Sequence, residues 1–476
     1  MSDRNAVLAW KKNDPLEITI TDINNLGCGV GHTSDGRVVF VRGAVTGEHI
    51  RATVIKVTKS YLVARMQSIL SPSPYRIPAS GQDCGVPDRC GGCVYRHITY
   101  EHECLLKQQY VKNAFIKAGL PDVTVEPVHT TGQTCHYRNK AQYPVGSQNG
   151  QVYAGFYAAK THTILPVAQC SLQPPIFSDI VKAICSFCSR YAIPVYEEET
   201  GTGLLRHIYL RSGQKTGEIL LCLVINGDSF PMADHFCRQM HESFPDIVGI
   251  LLNHNRQKTN VVLGDSFTTL WGKPYLEDIL CGKRFRIAPD AFYQVNHDGA
   301  ELLYQIAAQK ASLTGKETLL DLYCGIGTIG LSMADRAAGL IGVEVVPAAI
   351  RNAQDNARRN GIENAVFICG DASDTENLLT DADTEYGYLH ADIAIIDPPR
   401  KGSTPELIRY LCQGRQIPRI VYVSCDPDTL ARDCVLFRAY GYEIGTVTPV
   451  DMFPRTGHIE NVVCLTRSAS ADTPIS

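Results

Sequence analysis

Hydrophobic and polar positions alternate in short runs near the start of the chain. Leu16-Glu-Ile-Thr-Ile-Thr-Asp-Ile23 has the period of two of a half-buried strand. Arg37-Val-Val-Phe-Val41, Glu48–Val57 and Tyr61–Met66 follow closely, separated by Leu26-Gly-Cys-Gly-Val-Gly31 and the turn Ser34-Asp-Gly36. Short strands at this spacing predict a small β-barrel. Ser71-Pro-Ser-Pro-Tyr-Arg-Ile-Pro78 carries three prolines and reads as a linker. A mixed stretch follows, with a cysteine-rich loop, a helical run from Tyr100 to Lys117, and strand-like runs at Thr163–Val167 and Glu218–Ile225. From Lys316 five apolar runs recur between amphipathic stretches: Thr318–Leu322, Gly339–Val343, Ala365–Ile368, Ile393–Ile396 and Ile420–Val423. Such alternation reads as a doubly wound, mostly parallel sheet. The expected organisation is multidomain: a barrel over residues 1–72, a central α+β domain over 73–285, and a Rossmann-like α/β domain over 286–476.

Composition narrows the class. With 44% hydrophobic and 20% charged residues the chain is ordinary globular protein. Its longest apolar run, Ile219-Leu-Leu-Cys-Leu-Val-Ile225, is strand-sized. The stretch Met1–Lys12 has neither an apolar core nor a cleavage site, so a cytoplasmic protein with no membrane contact is expected. Eighteen cysteines in 476 residues are too dilute for a disulfide scaffold, and each reads as a ligand, a nucleophile or a packing group. The net charge of −4 hides an asymmetry. Residues 1–150 hold 17 Lys+Arg against 12 Asp+Glu, a positive field of the kind a phosphate backbone attracts.

Several motifs carry chemistry. Asp321-Leu-Tyr-Cys-Gly-Ile-Gly-Thr-Ile-Gly330 lies between a strand and a helix, where Gly325 and Gly327 permit a tight turn against a nucleotide cofactor. Glu344 ends the next strand, where a carboxylate reaches ribose hydroxyls. The Asp321 run resembles the first motif of S-adenosylmethionine-dependent methyltransferases. Asp397-Pro-Pro-Arg-Lys-Gly402 and Val423-Ser-Cys-Asp-Pro427 both sit at strand ends, so Asp397 and Cys425 are expected in one crevice. Related Pro-Pro motifs of amino-group methyltransferases have an aromatic residue where Arg400 stands. Asp451-Met-Phe-Pro-Arg-Thr-Gly-His-Ile-Glu-Asn461 adds a carboxylate, Glu460. A methyl donor, a cysteine and a base together suit C5 of a pyrimidine. That carbon becomes nucleophilic only after a thiolate adds at C6, and it must afterwards lose its proton. Cys84, Cys90, Cys93 and the distant Cys170 form a further set that suits zinc or an iron–sulfur cluster. Cys185 and Cys188, in a helical stretch, read as packing.

With these residues assembled, the chain resembles the RNA uracil-C5 methyltransferase family, specifically its bacterial 23S rRNA members with an N-terminal TRAM domain. Tyr137-Arg-Asn-Lys140 and Phe292-Tyr-Gln-Val-Asn296 are further hallmarks. The resemblance implies an OB-like TRAM barrel over residues 10–70 and a [4Fe-4S] cluster on Cys84, Cys90, Cys93 and Cys170. S-adenosyl-L-methionine would be held by Gln294, Tyr323, Glu344 and Asp397, with the glycine turn. Cys425 would be the nucleophile and Glu460 the general base, acting on a uridine flipped out of 23S rRNA by a monomeric enzyme. Phe292 and Tyr293 are each either stacking or core residues. Many relatives have Asn where Asp426 stands, a change expected to modulate the loop only. Family members on tRNA typically lack the barrel and the cluster, which favours rRNA. The competing readings are a tRNA uracil-C5 methyltransferase and a non-catalytic RNA-binding iron–sulfur protein.

Overall fold

The computed structural model describes residues 10–78, 84–86, 89–167, 169–374, 376–380 and 390–468. The leaderless start expected for Met1–Lys12 falls mostly on residues 1–9, outside the described residues. Strands β1 (Pro15–Ile23), β2 (Cys28–His32), β3 (Val38–Arg42), β4 (His49–Val57) and β5 (Tyr61–Ser71) close a barrel in the order β1-β2-β3-β5-β4. Alternation places Leu16, Ile18 and Ile20 inside, with Val39, Val41, Ile50, Val54 and Leu62. The barrel core is tight at Gly31, where an added Cβ would lie 2.7 Å from Ile18 Cδ1.

The proline-rich segment is pinned and does not act as a free tether. Arg76 forms an ion pair with the buried Glu48 of the barrel, whose carboxylate also accepts the Val45 amide at 2.8 Å. On its other side the Ile77 amide donates to His97 O at 3.0 Å and the Thr99 amide to Tyr75 O at 2.8 Å. Thr99 then caps α1 (Tyr100–Lys117) by accepting from the His102 amide.

The central sheet has the order β12-β11-β10-β9-β6-β7-β8. Its strands are β6 (Lys140–Gln148), β7 (Gln151–Tyr157), β8 (Ile164–Pro166), β9 (Leu205–Ser212), β10 (Ile219–Ile225), β11 (Ile247–His254) and β12 (Ser266–Gly272). Helices α2 (Pro175–Arg190) and α3 (Ala233–Ser243) cover one face, and Cys185 and Cys188 are buried there beside Phe187 and Leu223. β10 is apolar throughout because both its faces are covered. Leu221 and Leu223 join that core, while Leu220 and Cys222 join the one shared with the hairpin β13 (Leu276–Leu280)–β14 (Lys283–Ile287). The boundary expected after residue 285 falls inside β14.

The C-terminal sheet runs β17-β16-β15-β18-β19-β22-β20, with β21 paired to β22. It is built from β15 (Thr318–Leu322), β16 (Gly339–Glu344), β17 (Ala365–Cys369), β18 (Ile393–Ile396), β19 (Arg419–Ser424), β20 (Tyr442–Ile444), β21 (Thr448–Val450) and β22 (Glu460–Arg467). The strands from β15 to β19 are parallel and β22 is antiparallel to β19. Helices α4 (His297–Ala311), α5 (Thr328–Met333) and α6 (Pro347–Arg359) share one core, on one face. The helix Pro427–Ala439 lies on the other face together with α1, whose Val111, Ala114 and Phe115 pack in one core with Leu320, Ile396, Leu430 and Val463. The residues assigned by position to the central domain thus supply part of the C-terminal sheet's cover. No helix among the described residues is long and apolar enough to cross a membrane.

If α1 belongs to that core, Phe115→Ala should destabilise the C-terminal sheet by about 3–5 kcal/mol. Urea unfolding monitored by a probe in that sheet should register the loss at a lower midpoint.

Candidate active site

The ends of β18, β19 and β22 build the site. Ser424 and Asn461 are cross-strand partners in the antiparallel β19–β22 pair. Cys425 follows Ser424 and Glu460 precedes Asn461, which brings both to the same end of this strand pair, close enough for the Glu460 carboxylate to act on the Cys425 thiol. Asn461 Nδ2 fastens this corner by donating to Ser424 O at 3.2 Å. Asp397 follows β18, the neighbour of β19, and joins them. Asp426 caps the helix Pro427–Ala439 by accepting the Thr429 amide at 3.0 Å, a role that Asp fills as well as Asn.

Burial sets the electrostatics here. Desolvation, then the charge of Asp397, pushes Glu460 up to about 8, with Arg400 opposing. Asp397 is raised to about 7 by burial. The Cys425 thiol goes up to about 11 through burial first, then Glu460 and Asp397, with Arg400 again opposing. Glu460 is therefore a carboxyl poised near neutrality, suited to accept a proton. Arg400 is the cation that favours both the thiolate and the carboxylate, and its Nη2 lies 3.5 Å from His458 Nδ1.

The neighbouring strand ends form a cradle at the point where strand order reverses, between β15 and β18. Tyr323, Gly325 and Gly327 all take positive φ (63°, 55° and 83°), and the Cβ position of Gly325 opens on empty space. Glu344 accepts the Gly325 amide at 3.1 Å and the Val346 amide at 3.0 Å, which orients its carboxylate while leaving lone pairs over. Asp321 accepts the Gly330 amide at 2.8 Å through Oδ2, while its buried Oδ1 has no partner. An orphaned buried acceptor beside an open glycine turn fits a nucleoside ligand with N–H or O–H donors. Gln294 lies buried on the segment before α4, where its carbonyl accepts Asn139 Nδ2 at 3.0 Å. Its neighbours divide: Tyr293 is 2% exposed and bonded to Asp278 at 3.1 Å, whereas Phe292 is 66% exposed.

A second cavity, of about 280 Å³, is lined by Cys84, Cys90, Cys93 and Cys170 together with Arg96, Arg138 and Lys140. Among the described residues, no three of these sulfurs all lie within 4.8 Å of one another. Four sulfurs around one zinc ion would stand about 3.8 Å apart, given Zn–S bonds of about 2.3 Å. Four thiols lining one cavity are a donor set that zinc and an iron–sulfur cluster both use.

The sequence model of the tRNA (uracil-5-)-methyltransferases matches residues 275–468, and that of the TRAM domain matches residues 10–66. An uncharacterized RNA methyltransferase of Halalkalibacterium halodurans is 39% identical over 95% of this chain and 97% of its own length. One from Clostridium acetobutylicum is 38% identical over 97% and 99%. The chain belongs with these RNA methyltransferases, and its residues 275–468 carry the (uracil-5-)-methyltransferase domain. Its fold is shared with the tRNA (uracil-54, C5)-methyltransferase of Pyrococcus abyssi, solved with S-adenosyl-L-homocysteine, at a TM-score of 0.74 and 24% identity over 95% of this chain and all of that one.

Around the methyltransferase crevice the structure adds contacts that the sequence motifs did not announce. Tyr137 donates to Pro454 O at 2.9 Å, and the Val94 and Tyr95 amides reach Arg455 O at 2.9 and 3.1 Å. Gly457 abuts the barrel so closely that a Cβ there would lie 1.7 Å from Asn25 O. Tyr137 belongs to a motif noted in the sequence; the other contacts join segments too far apart in the chain to leave a local signal.

The raised Glu460 makes a prediction about stability. In the unfolded chain this carboxyl ionises near its ordinary value, and in the fold only near 8, so its contribution is lost as pH rises between those values. Glu460→Gln removes that cost. Its melting temperature should exceed the parent's by more at pH 9 than at pH 5, as measured by calorimetry.

Proposed function

We propose that this methyltransferase converts a uridine of 23S rRNA to 5-methyluridine, with Cys425 as nucleophile and Glu460 as general base. The observation that supports this nucleophile and base is that Cys425 and Glu460 flank the Ser424–Asn461 pair at one end of β19 and β22, where Glu460 and Asp397 both act on the Cys425 thiol. S-adenosylmethionine, in the cradle of Gln294, Tyr323, Gly325, Gly327, Glu344 and Asp397, would supply an electrophilic methyl group. The Cys425 thiolate adds to C6 and leaves the electron pair of the C5–C6 bond as an enolate, which makes C5 nucleophilic enough to take that methyl group. Glu460 then removes the C5 proton, the ring double bond re-forms, and the C6–sulfur bond breaks. Arg400 favours the thiolate that begins the sequence. Phe292, exposed next to Tyr293, would stack on an unpaired base, and the barrel would hold flanking RNA.

We assign a [4Fe-4S] cluster to Cys84, Cys90, Cys93 and Cys170, supported by their lining one common cavity. In this reading the cluster staples the loop of the first three cysteines to the strand region before Cys170. A second substrate reading, a tRNA uridine, is favoured by the description of the matching family.

With RNA carrying 5-fluorouridine, fluorine at C5 cannot leave as a proton, so the parent should accumulate a covalent, methylated adduct and Cys425→Ser none. Full activity in Cys425→Ser would refute the nucleophile. Mapping 5-methyluridine in a deletion strain separates the substrates: loss from 23S rRNA supports the first reading and loss from tRNA the second. Anaerobically purified protein should be brown, with iron and acid-labile sulfide in equal amounts; a colourless zinc protein would refute the cluster.

A further inference from the structure

Val450 and Glu460 are cross-strand partners of β21 and β22, so the residues between them leave and re-enter the sheet at one point. The exit is held by a side chain from far away in sequence. Lys107 of α1, 2% exposed, sets its Nζ 2.8 Å from Asp451 Oδ1, 2.8 Å from Glu103 Oε1 and 3.2 Å from Phe453 O. These acceptors use all three N–H donors of the ammonium. Glu103 Oε1 in turn accepts the Arg455 amide at 2.7 Å, and Tyr100 donates to Asp451 Oδ2 at 2.9 Å. One buried cation therefore meets the loop at residues 451 and 453 directly, and at 455 through Glu103. Asp451 stands next to the cross-strand partner of Glu460.

A buried ion cluster is a poor source of stability, since desolvation offsets most of its attraction. It does impose one geometry, because each N–H has one acceptor in a fixed direction. We propose that Lys107 is a positioning residue for Glu460: it fixes the loop so that the carboxylate stays opposite Cys425. This rests on the reading of Glu460 as the base.

The test follows two steps separately, on unmodified 23S rRNA or tRNA transcript, whichever accepts the methyl group. Lys107→Met should form the covalent methylated adduct within about twofold of the parent rate but resolve it about tenfold or more slowly, part of the range general-base loss spans. Glu460→Gln should resolve its adduct more slowly still. The double variant should be no slower than Glu460→Gln alone, because a positioning residue contributes nothing once the group it positions is gone. Asp451→Asn removes the same ion pair and should reproduce the pattern if Lys107→Met does not fold. Parent-rate resolution in Lys107→Met, equal slowing of both steps, or additive slowing in the double variant overturns the proposal. Parent-rate resolution in Glu460→Gln alone overturns the base assignment, and the proposal with it.

Discussion

The active crevice depends on one antiparallel strand pair appended to a parallel sheet. β18 and β19 deliver Asp397 and Cys425 at their carboxyl ends, as any open α/β sheet would. A parallel strand would bring Glu460 in at the wrong end. Because β22 runs the other way, its first residues lie at the end where β19 finishes, and the Ser424–Asn461 pair brings Glu460 to the same sheet end as Cys425. The hydrogen-bond ladder that holds the sheet is thus also what sets the geometry of the two groups.

Burial then supplies the chemistry. Asp321, Asp397 and Glu460 all have raised pKa values, the first two near 7 and the third near 8, with desolvation the largest cause in each. Carboxyls that ionise reluctantly are drawn into their anionic forms by any cation brought beside them. Arg400 provides a standing counterweight beside Cys425.

Much of this was legible in the chain. The barrel followed from period-two alternation, and Thr318–Leu322 and Ile393–Ile396 were found to the residue because parallel strands are short apolar runs between helices. Strand-end logic brought Asp397 and Cys425 together. The role of α1 was not legible, because Phe115 finds Leu320 and Leu430 across some two to three hundred residues and nothing local marks that pairing. Lys107 was equally hidden: in sequence it is an ordinary helical lysine, and only the fold makes it a buried hub. The proline-rich segment hid its anchoring for a related reason. Its prolines exclude helix but say nothing about Arg76 reaching the buried Glu48.

The contact of Gly457 with the carbonyl of Asn25 has a consequence for how such proteins can diversify. An RNA-reading module that merely hangs from a string can be exchanged freely between enzymes. Here the module's own backbone lies against the loop that leads into Glu460, and no side chain fits between them. Any replacement would have to bring a peptide oxygen to the same spot, so reader and catalyst are constrained to evolve as a matched pair.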